Sequence, residues 1–416
     1  MASSVENPPP NEEAGIDKIA ELTKQQLKNR YGSGPRVLRG VHPKDHGCVE
    51  AVWTVDEDLA KEYRVGLFKH PGERLRAVIR FSNASALVTP DSFDRKPDGT
   101  TVKAHGSRGM AIKLYKVGGA RLDPNDGETT QDFLMINQPI FAFSNVDDYQ
   151  VLSEVIAQDD SKAIMFFARR TGATDPVTGA ANSIAVRTRA GKTGGIINQI
   201  KSLTPPPPAP PPFFPYQAPP MSPLDNRYFS AAPFLFGEGR VMKFSARPVN
   251  PVSGELGTAI DDENYLRNAM KSRMDIADGK DICFDFQVQV RPFESLNSDF
   301  TDIEDMHTLW REEDYPFVTV ARITIPTPQD VSSTERKEFC ETLFYTPWHG
   351  LEAHLPVGGI NRLRRKVYQV SAGERGCPVS PELPPLPKGA GQQGGPDKRP
   401  PPRGDGKPPP SRGRQN

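Results

Sequence analysis

The chain has 416 residues and carries 52 Lys and Arg against 52 Asp and Glu, so its formal net charge is zero. This balance gives no global indication of nucleic-acid or membrane binding, and no apolar run approaches the roughly 20 residues of a membrane-spanning helix. The four cysteines are scattered without a CxxC pair, which favours free thiols in a reducing compartment over a disulfide framework or a zinc site. Because the N-terminus also lacks the apolar stretch of a secretory signal, we expect a cytoplasmic protein.

The first part of the chain divides into a disordered segment, a helix, a run of strands and a second helix. Residues 1–14 are polar and proline-rich, which predicts disorder. Residues 15–32 place apolar side chains at helical spacing and end in glycine, as is typical of an amphipathic helix. Between residues 36 and 145, segments rich in β-branched and aromatic residues, such as CVEAVWTV and RAVIRFS, alternate with Gly, Pro and Asp clusters. That pattern predicts an antiparallel sheet or barrel, and residues 146–158 are patterned as a helix.

The second part begins with a polyproline run at about 200–222, which excludes a helix or a central strand because proline lacks the amide hydrogen and fixes φ. Strand patterns return in GRVMKFSARPV, ICFDFQVQVRPF and FVTVARITIP, and helical patterns follow at 333–345 and 360–370. From residue 376 onward Pro, Gly and basic residues predominate, which predicts a disordered tail over 376–416. The chain is therefore predicted to fold as one α+β domain over residues 15–375.

Six short motifs follow one another along the chain. They are RGVHPKDHGCVEAVWTV from residue 39, RFSNAS from 80, RGMAIKLY from 108, INQPIFAF from 136, FYTPWHG from 344 and RRKVY from 364. Each motif is degenerate, but their order and spacing together resemble the catalase superfamily in a compact form. This resemblance implies a catalase-like antiparallel β-barrel with surrounding helices and a proximal helix that carries a haem ligand.

The resemblance assigns the two faces of a haem b site to residues that are far apart in the sequence. Tyr368 matches the axial ligand of the haem iron, and Arg364, one helical turn earlier, matches its partner. A free phenol has a pKa of about 10, so the guanidinium would help to hold the tyrosinate at neutral pH. On the other face, His42 matches the distal acid–base residue and Asn137 matches the residue that orients the peroxide.

Four more residues are matched to supporting roles by the same resemblance. Ser82 would hydrogen-bond the distal imidazole, and Arg39 and Arg80 would meet the haem propionates. The residue before the distal histidine is Val41, whereas a threonine marks the allene oxide synthases that share the fold. Val41 therefore favours catalase-type chemistry.

The sequence departs from the family's pattern in two places. PKDHG replaces small residues after the distal histidine, so Asp45 and His46 are expected to add charge and bulk near the distal strand. After Tyr368 the chain reads QVSAGERG and lacks the family's Arg-Leu-Gly run. One haem-contacting arginine is therefore either absent or supplied by Arg375 or another residue.

The axial ligand also has an alternative. His349 or Tyr345, both in FYTPWHG, could take this place, and a histidine is a common iron ligand. That choice leaves the Arg364-xxx-Tyr368 register unexplained, so Tyr368 is the preferred ligand.

Four functions stay open from the sequence. The first, which we expect, is a haem-dependent oxidoreductase of the catalase or peroxidase type that acts on hydrogen peroxide or related peroxides. The second is a haem enzyme that converts organic or lipid hydroperoxides, and the third is a non-catalytic haem-binding protein. The fourth is an interaction protein whose proline-rich stretches at 205–220 and 396–410 bind aromatic-lined grooves. We expect a peroxide as substrate, no nucleic-acid partner, no membrane span, and a homodimer or homotetramer.

Overall fold

The computed structural model describes residues 4–32, 34, 36–84, 91, 94–95, 101–102, 107–124, 129–141, 143–158, 222–251, 262–276, 280–306, 308–377 and 383. The predicted proline-rich loop at about 200–222 lies outside these residues except for its last position. The predicted tail over 376–416 lies outside them except for three positions. In the described part of the chain, no helix combines the length and the apolar character that crossing a bilayer requires.

Six α-helices lie within the described residues. They are α1 (Glu12–Tyr31), α2 (Val146–Gln158), α3 (Tyr265–Met274), α4 (Thr301–Glu304), α5 (Thr334–Thr342) and α6 (Gly359–Glu374). Four of them, α1, α2, α5 and α6, coincide with helices that the apolar spacing predicts. The sequence patterns do not predict α3 and α4, because both are short and polar residues make up half or more of their sequences.

Eight of the described strands close into an antiparallel barrel. The strands are β1 (Asp45–Val55), β2 (Arg74–Asn83), β3 (Asp94–Arg95), β4 (Thr101–Val102), β5 (Arg108–Leu114), β6 (Gln131–Ile136), β7 (Tyr228–Phe229), β8 (Phe234–Leu235), β9 (Arg240–Pro248), β10 (Ile282–Pro292) and β11 (Phe317–Ile325). The barrel order is β10-β11-β1-β2-β5-β6-β7-β9, and the pairing of β9 with β10 closes it. The predicted α+β class, with an antiparallel barrel and surrounding helices, is confirmed.

Aromatic rings fill the interior of the barrel. Trp53 stacks on Phe133 with ring centroids 5.6 Å apart, and Phe286 lies 4.6 Å from Trp53. Phe244 meets Phe133 edge to face at 4.9 Å. All four rings are buried, as expected for an eight-stranded barrel, whose interior is just wide enough for side chains. The interior is therefore a packed core, and functional side chains are expected on the outside of the barrel.

Side chains on alternate strand positions point out of the barrel. On β2, Ile79 and Phe81 belong to the core, so Arg80 and Ser82 lie on the outer face because successive strand residues alternate. Ser82 lies directly opposite Gly109 of β5 in the antiparallel register. The alternation thus places an arginine, a serine and a glycine side by side on the outer face.

Residues 4–11 pack against the domain, which corrects the prediction of disorder for residues 1–14 in its described part. Val5 is buried in an apolar cluster with Ile303 and Val357. Glu6 accepts a hydrogen bond from the Gly358 amide at 2.9 Å. A few such contacts anchor this segment, and a prediction from average composition cannot detect them.

Arg362, near the start of α6, joins three other segments to this helix. Its guanidinium contacts Glu6, the Glu12 carboxylate at 2.5 and 2.8 Å, and the Glu304 carboxylate at 2.8 Å. The arginine side chain is 17% exposed and the three acids are exposed by 12% or less, so these ion pairs are largely shielded from water. The cluster connects the N-terminal segment, α1 and α4 to the helix that carries Tyr368.

We expect Arg362→Ala to lower the free energy of unfolding by about 3 kcal/mol, because three shielded carboxylates lose their common cation. Lys366→Ala on the same helix is the matched control, since Lys366 forms an exposed ion pair with Asp17. That variant should change the free energy by less than about 0.5 kcal/mol. Urea denaturation followed by circular dichroism measures both, and equally small losses would contradict the role of Arg362.

Candidate active site

His42 lies between α1 and β1 in a strained backbone conformation. Its φ is 55°, in the left-handed region that a residue other than glycine adopts only at a cost. Its Nδ1 atom lies 3.0 Å from Ser82 Oγ. On β5, a Cβ added to Gly109 would come within 2.5 Å of the same Nδ1 atom. The serine and the glycine therefore fix the imidazole against the outer face of the barrel.

Lys44 ties the loop that carries His42 to the rest of the domain. Its Nζ lies 3.0 Å from Asp91 Oδ1, and it donates to the Glu263 carbonyl at 2.6 Å. The backbone carbonyl of Lys44 accepts the Asn83 amide at 3.0 Å. The ion pair with Asp91 is buried, so Lys44 holds the loop that carries His42 against the domain.

Asp45 and His46 serve the same anchorage. Of the charge and bulk expected from PKDHG near the distal strand, the charge of Asp45 acts on Arg80, and His46 contributes bulk. His46 is fully buried, and its Nε2 lies 2.9 Å from Asn83 Oδ1. Burial, and then the charge of Arg108, hold the pKa of His46 well below its ordinary value, so this imidazole is neutral. Asp45 forms an ion pair with Arg267 of α3 at 2.9 Å.

Three arginines converge at the C-terminal end of α5. Arg39 contacts Glu341 Oε2 at 2.5 Å and donates to the Leu343 carbonyl at 2.7 Å. Arg80 lies 3.5 Å from the other oxygen of the same carboxylate. Arg375 donates to the Glu341 carbonyl at 2.9 Å, so it supplies an arginine at this place although the family's Arg-Leu-Gly run is missing. The last carbonyls of a helix attract cations, which favours this arrangement.

The arginine cluster carries more positive than negative charge. Burial opposes ionisation of Glu341, but the charges of Arg39, Arg80 and Arg375 lower its pKa overall. Three cations against one carboxylate leave two positive charges. Among the described residues, the Nε atom of Arg80 is buried without a hydrogen-bond partner, which is unfavourable unless an acceptor is supplied. The cluster is therefore suited to a ligand with more than one anionic group.

Two arginines of this cluster, together with Arg364, also affect the pKa of His42. Burial is the main cause that lowers the pKa of His42 to about 3. The charges of Arg80, Arg364 and Arg39 act in the same direction, in that order. The imidazole is therefore neutral near pH 7 and can accept a proton from a substrate.

Helix α6 brings Arg364 and Tyr368 together. The Nε of Arg364 donates to the Tyr368 hydroxyl at 3.3 Å, and a second guanidinium nitrogen donates to Asn361 Oδ1 at 3.2 Å. Burial, and then the proximity of Tyr368, raise the pKa of Tyr149 on α2 to about 12. The charge of Arg364 is also one of the causes that lower the pKa of His42.

Asn137 caps the end of the β5–β6 pairing. Its side-chain oxygen accepts a hydrogen bond from the backbone N–H of Arg108 at 2.8 Å. The backbone N–H of Asn137 donates to the Arg108 carbonyl at 3.0 Å. Arg108 precedes Gly109, so Asn137 lies beside the strand position on which the His42 ring rests. The side-chain oxygen of Asn137 thus serves the strand end, and only its NH₂ group is left for contact with a ligand. Val41 is half-buried next to the histidine.

The alternative ligands His349 and Tyr345 lie in a separate buried network. The Nδ1 atom of His349 is 3.1 Å from Asp132 and 3.2 Å from Lys113. Lys113 forms an ion pair with Asp132 at 2.8 Å, and its Nζ lies 5.6 Å from the centre of the Tyr345 ring. These contacts connect both residues to Lys113 and Asp132 rather than to the Arg364–Tyr368 pair.

Three contributors to the site are not identified by the sequence motifs. Glu341 pairs with an arginine 302 positions away, and Asp91 and Gly109 act through the shape of the fold. Gly109 lies in RGMAIKLY, and pairing this strand with RFSNAS in the correct register would have placed it opposite Ser82. Glu341 has no comparable signal, because exposed acids are common in helices.

The side chains present fit a haem with two carboxylates. The buried, unpartnered Nε of Arg80 and the two positive charges left in the cluster suit a pair of propionates. The Tyr368 hydroxyl beside Arg364 is an oxygen donor of the type that catalase haem uses. Gly109 has no side chain, which lets the His42 ring and Ser82 pack closely against its strand position.

Neither a protein-family model nor a curated protein matches the chain. Solved structures that resemble it include a fungal catalase, with a TM-score of 0.54 and 14% identity over 84% of this chain and 62% of that chain. They also include a bacterial catalase, with a TM-score of 0.53 and 16% identity over 93% of this chain and 66% of that chain. The chain thus spans less than two thirds of the length of either catalase. At such low identity the structural similarity shows the fold alone. The catalase-like fold implied by the motifs is confirmed.

We expect Gly109→Ala to displace the His42 ring, because the new methyl group would meet Nδ1 at 2.5 Å and Ser82 Oγ at 3.0 Å. Such overpacking typically costs about 1–3 kcal/mol in the free energy of unfolding. Gly118→Ala is the control, since nothing lies within 4 Å of a Cβ at that exposed position. Urea denaturation measures the loss, and NMR of labelled histidine detects the displaced ring. An unchanged His42 signal in Gly109→Ala would refute this packing.

Proposed function

We propose that the chain binds one haem b through Tyr368 and is an oxidoreductase of the catalase or peroxidase type that acts on hydrogen peroxide or related peroxides. The observation that carries this proposal is the contact on α6 between the Arg364 guanidinium and the Tyr368 hydroxyl, which pairs an oxygen ligand with a cation. Arg364 donates to the Tyr368 hydroxyl and its charge also lowers the pKa of His42. The catalase-like fold supports this activity, and the site residues rather than the fold must carry the argument for function.

The binding roles follow from charge and donor geometry. Arg39, Arg80 and Arg375 would take the haem propionates, for which guanidinium groups provide paired donors. Arg364 would donate to the Tyr368 oxygen that holds the iron. When bound, the haem iron supplies the redox chemistry of peroxide cleavage.

The proton transfers would fall to the distal loop. The neutral His42 would take a proton from one peroxide oxygen and return it to the other. Ser82 would keep the imidazole ring in place through Nδ1, which leaves Nε2 for the transfer. Asn137 would orient the peroxide through its NH₂ group. Val41 is apolar and leaves the imidazole without a further hydrogen bond from that position.

We expect Tyr368→Phe to lose haem or to shift its absorption spectrum sharply, because the axial oxygen is removed. His349→Gln is the control and should keep the parent spectrum, since His349 contacts Lys113 and Asp132 instead. The measurement is the absorption spectrum of the purified full-length protein after reconstitution with haem. Loss of haem binding in His349→Gln together with normal binding in Tyr368→Phe would show that Tyr368 is not the iron ligand.

We expect His42→Ala to retain haem but to lose peroxide cleavage, since one positioned acid–base group typically contributes about 10²–10⁴-fold. Stopped-flow mixing with hydrogen peroxide gives the rate, and the haem spectrum confirms loading. A rate within a few fold of the parent protein would exclude His42 as the proton carrier.

The substrate is tested by direct competition between two peroxides. Oxygen release from hydrogen peroxide, or its use with a reducing co-substrate, is compared with consumption of a fatty-acid hydroperoxide and with product analysis. The proposal expects turnover of hydrogen peroxide. Clean conversion of the lipid to an epoxide or an aldehyde without oxygen release would replace it with hydroperoxide rearrangement. Inertness toward both, with haem bound, would indicate a haem-binding protein without this activity.

A further inference from the structure

A cavity lies on the outside of the barrel at β9. It has a volume of about 160 Å³, and residue 243 reaches it because this strand position alternates with core positions on either side. The apolar part of its wall includes Pro139, Phe229, Ala231, Leu309, Trp310 and Phe317. Exposed charged side chains at positions 311–313 form its mouth. The cavity thus has apolar walls and an opening to solvent.

The amine of Lys243 is the main polar group inside this cavity wall. The residue is 4% exposed, and its Nζ donates to the Thr308 carbonyl at 2.8 Å. The same nitrogen lies 5.0 Å from the centre of the Trp310 ring. No carboxylate in the described part of the chain forms an ion pair with it. Lys113, which is equally buried, instead forms an ion pair with Asp132 at 2.8 Å.

Burial and the neighbouring charges together lower the pKa of the Lys243 amine. Burial is the main cause that lowers the pKa of Lys243 to about 7. Asp302 and Asp305 oppose this shift and Arg291 supports it, but Arg291 itself pairs with Asp302 at 3.0 Å.

The charged groups at the mouth are paired as well. Glu312 pairs with Arg227 at 3.1 Å, and Arg311 pairs with Glu313. A lysine in such surroundings is an activated nucleophile, because desolvation and a neighbouring cation favour the free amine.

We propose that Lys243 forms a covalent site for a small apolar aldehyde, which it binds as an imine in the cavity beside Trp310. The amine nitrogen attacks the carbonyl carbon, a C=N bond replaces the C=O bond, and the oxygen leaves as water. No oxidant or reductant is consumed in this step. The proposal is independent of haem binding and of the activity proposed above.

The shape and polarity of the cavity select the class of ligand. Its volume equals about five times the share of one water molecule in the liquid, so an aldehyde of a few carbons fits and a long chain does not. The aromatic and aliphatic walls suit a hydrocarbon chain, and they disfavour a charged ligand. An aldehyde is preferred over a ketone because its carbonyl carbon is more electrophilic and less hindered. Solvent at the mouth supplies the proton with which the oxygen leaves as water.

The test is reductive trapping on the full-length protein with pentanal and cyanoborohydride, followed by peptide mapping with mass spectrometry. At pH 7 we expect Lys243 to be labelled at least about tenfold faster than an exposed lysine such as Lys366, because far more of its amine is neutral. The labelling rate should rise through a midpoint near pH 7. Lys113 is the internal control and should stay unlabelled, since its ammonium is ion-paired.

Two variants separate the cavity from general lysine reactivity. Lys243→Arg keeps the positive charge and should remove the fast adduct, and Leu309→Trp should slow labelling by filling the cavity while leaving the amine in place. Labelling of Lys243 no faster than Lys366 in the parent protein overturns the proposal, whatever the variants do. Equal labelling of the parent protein and Leu309→Trp overturns the role of the cavity.

Discussion

The alternation of side chains on a closed barrel is the constraint on which the candidate site depends. The pairing of β9 with β10 closes the barrel, and aromatic rings such as Trp53 and Phe133 fill its interior. Every second side chain of β2 is therefore directed outward, which places Arg80 and Ser82 on one face. A slip of one residue in the β2–β5 register would turn these side chains into the core and would move Gly109 away from His42. The packed core and the site are thus specified by the same register.

Electrostatics then determines what this outer face can hold. A cation cluster next to a histidine depresses the basicity of the imidazole, and a neutral imidazole is what proton transfer to and from a peroxide requires. The same cations stay ionised because Glu341 and the carbonyls at the end of α5 face them. An anionic ligand would complete the balance of charge and would also moderate the field at His42. The charges of Arg39 and Arg80 thus act both on Glu341 and on the imidazole of His42.

The sequence predicts the long strands and most of the helices, because apolar periodicity reports which face of an element is buried. It does not predict α3, whose sequence is short and half polar, and it misassigns residues 4–11, which are held by a few contacts of Val5, Glu6 and Asn7. The motifs suggest His42, Ser82 and the Arg364–Tyr368 pair through resemblance, and the structure shows the contact between His42 and Ser82 and the contact between Arg364 and Tyr368. The contact between Arg39 and Glu341 spans 302 positions and leaves no local pattern, so only the folded chain reveals it.

The replacement of small residues by PKDHG shows how a site can be kept while its supporting sequence changes. The left-handed backbone at His42 is unfavourable by itself, so the neighbouring residues must hold the loop. Lys44 does this through Asp91, and His46 does so through Asn83, in both cases away from the imidazole. Because His46 is buried and neutral, its added bulk stabilises the loop without adding a charge to the field at His42. The departure from the motif pattern therefore changes the anchorage of the loop and leaves the contact between His42 and Ser82 in place.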